Sequence, residues 1–145
     1  MKNWKAEILL VEDRHEDAYL THFALEKSGY GNMINWVQDG QEALDYLLCS
    51  GAYAERDIIH PKLILMDLNM PKMNGLEALK LIKQNPKLSM IPVVMLTTSD
   101  QDVDRFQAYS DHVNSYIVKP VDSDKFKKVI SDMGNYWIGY NVLID

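Results

Sequence analysis

Leu63-Ile64-Leu65-Met66-Asp67-Leu68-Asn69-Met70-Pro71-Lys72-Met73-Asn74-Gly75 is the stretch on which the fold turns. Four apolar residues in a row, without polar alternation, describe a strand buried on both faces. The run ends on a carboxylate, and open parallel sheets present their ligands at such strand ends. Pro71 and Gly75 then turn the chain into a helix. An Asp at a strand end also serves simply to cap turns, so Asp67 alone decides nothing.

Working outward, residues 6–11 read as a first buried strand running into Glu12-Asp13, after a short polar lead-in whose Trp4 is expected to cover one end of the sheet. Residues 14–28 have helical spacing, with Leu20, Phe23 and Ala24 on one face, and Gly29 and Gly31 stop the helix. Residues 33–37 form a second strand whose Asn35 suits an edge. Asp39-Gly40 turns into a helix carrying Ala43, Leu44, Leu47 and Leu48. Residues 50–61 exceed the usual loop length and read as a surface elaboration.

Beyond Asp67, a helix over 75–84 carries Leu76, Leu79 and Ile82 and ends at Asn85-Pro86. Residues 91–96 are a fourth apolar strand, followed by Thr97-Thr98-Ser99-Asp100. The helix over 101–110 has a thin stripe of Val103, Phe106 and Tyr109, which makes it a candidate moving part. Residues 115–118 are a fifth strand ending at Lys119-Pro120, and the last helix opens near Asp122 with Phe126, Val129, Ile130 and Met133 at helical spacing. Strands alternating with helices imply right-handed crossovers. The expected fold is α/β: a doubly wound, five-stranded parallel sheet, order 2-1-3-4-5, with helices on both faces.

At 145 residues one domain is the default, and 47% apolar with 25% charged residues is ordinary globular composition. A net charge of −6 argues against nucleic acid and against anionic membranes as partners. No apolar run approaches spanning length and the N-terminus lacks signal-peptide character, so the expected compartment is the cytoplasm. Cys49, the single cysteine, sits on the apolar side of its helix and reads as a buried structural thiol. The four histidines lack metal-ligand spacing. There is no Gly-rich phosphate loop after the first strand.

The polar residues that carry chemistry follow four of the strands: Glu12 and Asp13, Asp67, Thr97, and Lys119. In a parallel sheet these ends share one rim. Three carboxylates gathered there would raise one another's pKa. A hard divalent cation resolves the repulsion, and a site of few oxygen ligands suits Mg²⁺. Asp13 and Asp67 are the first-choice ligands, with Glu12 through a water and Asn69 through its carbonyl. Asp67 then keeps an oxygen free as nucleophile, the chemistry of an aspartyl phosphate. Lys119 supplies a point charge and Thr97 a hydroxyl for phosphoryl oxygens. Singly, each has an ordinary explanation: Asp13 as a helix cap, Thr97 likewise, Lys119 as a surface lysine. Five such coincidences at strand ends are improbable.

The set Glu12-Asp13, Asp67 within Met-Asp-Leu-Asn-Met-Pro-Lys-Met-Asn-Gly, Thr97, Tyr116 and Lys119-Pro120 resembles the receiver domain of bacterial two-component response regulators, a CheY-like fold, over about residues 6–134. The resemblance implies a phosphorelay signalling protein in which Asp67 accepts a phosphoryl group from a sensor histidine kinase, with Mg²⁺ required. It implies no enzyme beyond slow autodephosphorylation, with Asn69 and Ser99 at the positions that set phosphoryl lifetime. Thr97 and Tyr116 would be the switch that alters the surface of the fourth helix, fifth strand and fifth helix. The long connection before the third strand and the aromatic tail resemble single-domain regulators paired with cyanobacterial-type phytochromes.

Residues 1–134 are thus expected to be the receiver domain and 135–145 a C-terminal aromatic extension. The stripe of the last helix continues through Trp137 and Tyr140, interrupted by Gly134 and Gly139. The extension is expected to lengthen that helix and pair two subunits as a homodimer; the alternative is a tail folded back on its own domain. An aspartyl-phosphate hydrolase of the haloacid dehalogenase type would need a second Asp where Asn69 stands, and Asn69 cannot act as a general acid.

Overall fold

A computed structural model describes the backbone of residues 4–144 and the side chains of residues 7–144. The covering role expected of Trp4 lies outside the described side chains. The elements alternate along the chain as β1 (Trp4–Val11), α1 (His15–Lys27), β2 (Ile34–Val37), α2 (Gly40–Leu48), β3 (His60–Met66), α3 (Gly75–Gln84), β4 (Val93–Thr97), α4 (Asp102–Ser110), β5 (Ser115–Val118) and α5 (Ser123–Gly134). The five strands are parallel in the order β2-β1-β3-β4-β5, the order expected, with Asn35 on an edge strand.

Period-two alternation splits the apolar strands between two cores. Leu9, Val11, Ile64, Met66, Val93 and Met95 face α2, α3 and α4, while Ile8, Leu10, Leu63, Leu65, Val94 and Leu96 face α1 and α5. Register brings the strand ends level. Val11 pairs with Met66 and Thr97 with Val118, so Glu12, Asp67 and Lys119 each leave the sheet at the same rim. Amide bonds continue the alignment: Glu12 N donates to Val37 O at 3.0 Å, Asp67 N to Val11 O at 3.0 Å, and Lys119 N to Thr97 O at 2.7 Å.

Several local expectations shift. β3 begins at His60 and not Leu63, because β1 pairs backward to Trp4 across an irregularity between Lys5 and Ile8. β4 begins at Val93, since Pro92 has no amide to give the ladder. Phe23 points outward on α1 beneath the ammonium groups of Lys27 and Lys127. Cys49 is half-buried in a left-handed conformation just past α2, not a core thiol. The connection before β3 is tied to the core: Arg56 stacks on the Tyr46 ring at 3.7 Å and donates to Ile59 O at 2.7 Å.

The last helix does lengthen, but with a change of pitch. α5 passes into a π-helical turn, Asn135–Tyr140. The wider turn points Ile138 inward and leaves Tyr140 outside. Gly134 is a packing requirement, since a Cβ there would lie 2.9 Å from the Leu25 side chain of α1. Ser28 Oγ donates to Ser131 Oγ at 2.9 Å and Tyr30 Oη to Asn135 Oδ1 at 3.0 Å, so α1 and α5 are clamped together.

Candidate functional site

Four loops deliver the site. β1 ends in Glu12-Asp13, β3 in Asp67, β4 in Thr97 and β5 in Lys119. The β3–α3 loop is held close to Asp67 by Gly75, whose amide donates to Leu68 O at 2.7 Å. A Cβ at Gly75 would meet Asp67 O at 2.2 Å, so only glycine fits there. Asn74, beside it, caps α3 by accepting from Glu77 N at 3.0 Å.

Carboxylate oxygens of Glu12, Asp13 and Asp67 all lie within 4.8 Å of one another. Asp67 Oδ1 accepts from Leu68 N at 2.7 Å, while Oδ2 stands 3.5 Å from Lys119 Nζ. Lys119 Nζ also bonds Glu12 Oε1 at 2.8 Å. Asn69 is exposed in the loop two residues beyond Asp67. Thr97 is fully buried, and its Oγ1 accepts from Ser99 N at 3.2 Å. Tyr116, half-buried against the core, donates its hydroxyl to Ser99 O at 2.9 Å.

The ordinary explanations fail on this geometry. Arg14, not Asp13, occupies the N-cap of α1, and Gln101, not Thr97, that of α4. The Lys119 side chain is 5% exposed, which no surface lysine matches.

Burial pushes the Glu12 carboxyl up to about 7; the bond from Lys119 opposes this and the Asp67 charge adds to it. Burial alone would push the Lys119 ammonium down, but bonds to Asp17 and Glu12 and the Asp67 charge outweigh it and hold the group above its ordinary value. Asp13 Oδ1 is buried without a hydrogen-bond partner among the described residues. Buried acceptors are normally satisfied, so a cluster that is crowded, acidic and one donor short fits a divalent cation.

Sequence reasoning missed two participants. Asp17, in the first turn of α1, accepts from Lys119 Nζ at 2.7 Å. Its one signal was its position four residues after Asp13, one helical turn on. Asp104 of α4 accepts from Ser99 Oγ at 2.5 Å. Nothing in its exposed, acidic surroundings marked it.

An open parallel α/β sheet with an acidic pocket and a buried lysine at its C-terminal rim defines a phosphoacceptor class of signalling domain. The chain belongs to the response regulator receiver domain family, whose profile matches residues 8–131. It is 44% identical over 135 residues to the probable methanogenesis regulatory protein FilR2 of Methanothrix harundinacea, covering 92% of this chain and 84% of that one. It is 39% identical over 131 residues to the response regulator Rcp1 of Synechocystis sp., covering 90% and 88% respectively. The crystal structure of the Mn²⁺-bound form of Rcp1 aligns with a TM-score of 0.89 at 37% identity, covering 97% of this chain and 100% of that one. The phosphorylated cyanobacterial phytochrome response regulator RcpA aligns over 100% of both chains, also at 0.89 and 37%. This chain is therefore a two-component response regulator receiver, of a family whose members work with histidine kinases in phosphorelays and bind divalent metal.

Proposed function

We propose that Asp67 is the phosphoacceptor. The observation that carries this is the gathering of Glu12, Asp13 and Asp67 within 4.8 Å, with Lys119 Nζ 3.5 Å from Asp67 Oδ2. One Asp67 oxygen attacks the phosphorus of a kinase phosphohistidine, the new O–P bond forms as the P–N bond breaks, and the imidazole leaves with the electron pair. Asp13, Asp67, the Asn69 carbonyl and, through a water, Glu12 would hold Mg²⁺. When bound, the ion offsets the negative charge of the phosphoryl oxygens. Lys119 offers its ammonium to one of those oxygens. Thr97 offers its hydroxyl to another, and Tyr116 follows through the loop between them. The chain turns over no substrate beyond slow loss of its own phosphoryl group.

Incubation with acetyl phosphate and Mg²⁺ tests the assignment. Wild-type protein should gain one phosphoryl mass on Asp67, and Asp67→Asn should gain none. Label persisting on that variant overturns it.

The donor kinase is read as phytochrome-type, from the named relatives, and the compartment as cytoplasmic; no described helix is long and apolar enough to cross a membrane. Residues 1–134 are read as the receiver proper and 135–145 as an extension that pairs two subunits. Exposed Tyr136, Tyr140, Val142 and Ile144 support pairing, because clustered apolar surface usually has a partner. Sedimentation of a chain ending at Met133 should show a smaller assembly than the intact chain; equal subunit number in both rejects the pairing role.

A further inference from the structure

Lys119 gives its short hydrogen bonds to other carboxylates and keeps a longer ion pair with the phosphoacceptor. An ammonium has three protons to donate. Two go to Glu12 at 2.8 Å and Asp17 at 2.7 Å, while Asp67 at 3.5 Å lies beyond normal bonding length. The shortest of the three links is to Asp17, which lies outside the cation cluster. A cation held by Glu12, Asp13 and Asp67 neutralises two of the carboxylates that attract the lysine. It leaves Asp17 as the charge that still holds the ammonium toward α1.

Resting on the reading of Asp67 as phosphoacceptor, we infer that Asp17 is a positioning residue that competes with the phosphoryl group for Lys119. For the lysine to serve a phosphoryl oxygen, its bond to Asp17 must open. The pair is poorly screened, with side-chain exposures of 5% and 22%. Asp17 lies in the first turn of α1, so the helix fixes its backbone and limits how far its carboxylate can follow the lysine. Arg14 is placed to take over the vacated carboxylate: its Nε already stands 4.0 Å from the same Asp17 oxygen. Asp17 thereby sets a threshold, since phosphoryl occupancy must supply the free energy of opening this ion pair before Lys119 completes the activated arrangement.

The sign of one substitution separates competition from support. Asp17→Asn keeps the shape and removes the charge. If Asp17 merely props Lys119 in place, that variant binds a phosphoryl mimic more weakly. If Asp17 competes, it binds more tightly.

The test is calorimetric titration of the full chain with beryllofluoride at saturating Mg²⁺. Asp17→Asn should tighten binding about fivefold, and Asp17→Glu should return it toward wild type. The gain should shrink to within about twofold in a Lys119→Ala background, because the competition runs through the lysine. Unchanged or weaker binding by Asp17→Asn overturns the inference, as does an undiminished gain without Lys119. A wild-type chain that takes no beryllofluoride, or Asp67→Asn binding it as well as wild type, rejects instead the reading of Asp67.

Discussion

Lys83 illustrates how much one side chain can hold. Its Nζ donates to Ser89 O at 3.1 Å, Ile91 O at 2.9 Å and Asn114 Oδ1 at 2.9 Å, joining the end of α3 to the starts of β4 and β5. All three acceptors are neutral, and burial pushes the amine down to about 8. Between that value and the unfolded lysine value of about 10.4, the unfolded chain binds more protons than the folded one. Stability should therefore rise with pH across this window. Discounted for solvent screening, the gain is about 1 kcal/mol. Urea unfolding at pH 8 and 9.5 reads it, and Lys83→Met should flatten the slope while lowering stability by about 2 kcal/mol through orphaned acceptors. Gly75→Ala tests the other end of the sheet. Its Cβ would collide with Asp67 O, so Mg²⁺ affinity should fall at least tenfold on titration, as the displaced loop moves a ligand. Asp67, Thr97 and Lys119 were legible because each ends an apolar run. Asp17 and Asp104 were not, because an acid on an exposed helix turn is the commonest of surface residues and only tertiary packing gives it a partner.

At the scale of elements, α4 is the loose one. It buries Ala108, whereas Val103 and Phe106 are 70% and 73% exposed and Tyr109 also faces out. The spacing correctly marked a thin apolar stripe but not its direction, since i, i+3 periodicity is satisfied equally by a face turned to the sheet or to water. What holds the N-terminal end is the chain of bonds through Ser99, which bonds Thr97, Tyr116 and Asp104. Asp104→Ala should release α4, with its amides exchanging about fivefold faster by hydrogen–deuterium mass spectrometry while α3 is unchanged. Exchange equal to wild type would mean that the Ser99 contact carries no load. The tail shows the same limit of sequence reading. Trp137 and Tyr140 fit an α-helical stripe, and Gly134 read as a weakness. The π turn rotates Ile138 into the core instead, and Gly134 proves to be where two helices touch.

For the molecule as a whole, the parallel sheet and its rim were legible because apolar runs alternating with helical patterns suit doubly covered parallel strands, and the strand order followed from the doubly wound fold type. The tail's fate was open because it depends on α1, over a hundred residues away. Ending the chain at Met133 removes Trp137 and Ile138 from the second core and should cost about 3 kcal/mol, read as a lower urea midpoint. The bonds joining Ser28 to Ser131 and Tyr30 to Asn135 brace one flank, while α4 on the opposite flank rests on Ala108 in the core and on the bonds through Ser99. A partner gripping α1 and α5 where Ser28 meets Ser131 would hold the braced end of those helices, at the end of α1 remote from Asp17 and Lys119. A partner gripping α4 would meet a helix that buries Ala108 alone of its residues, and its affinity should follow phosphoryl transfer. Donor and listener could thus address one small protein from different sides.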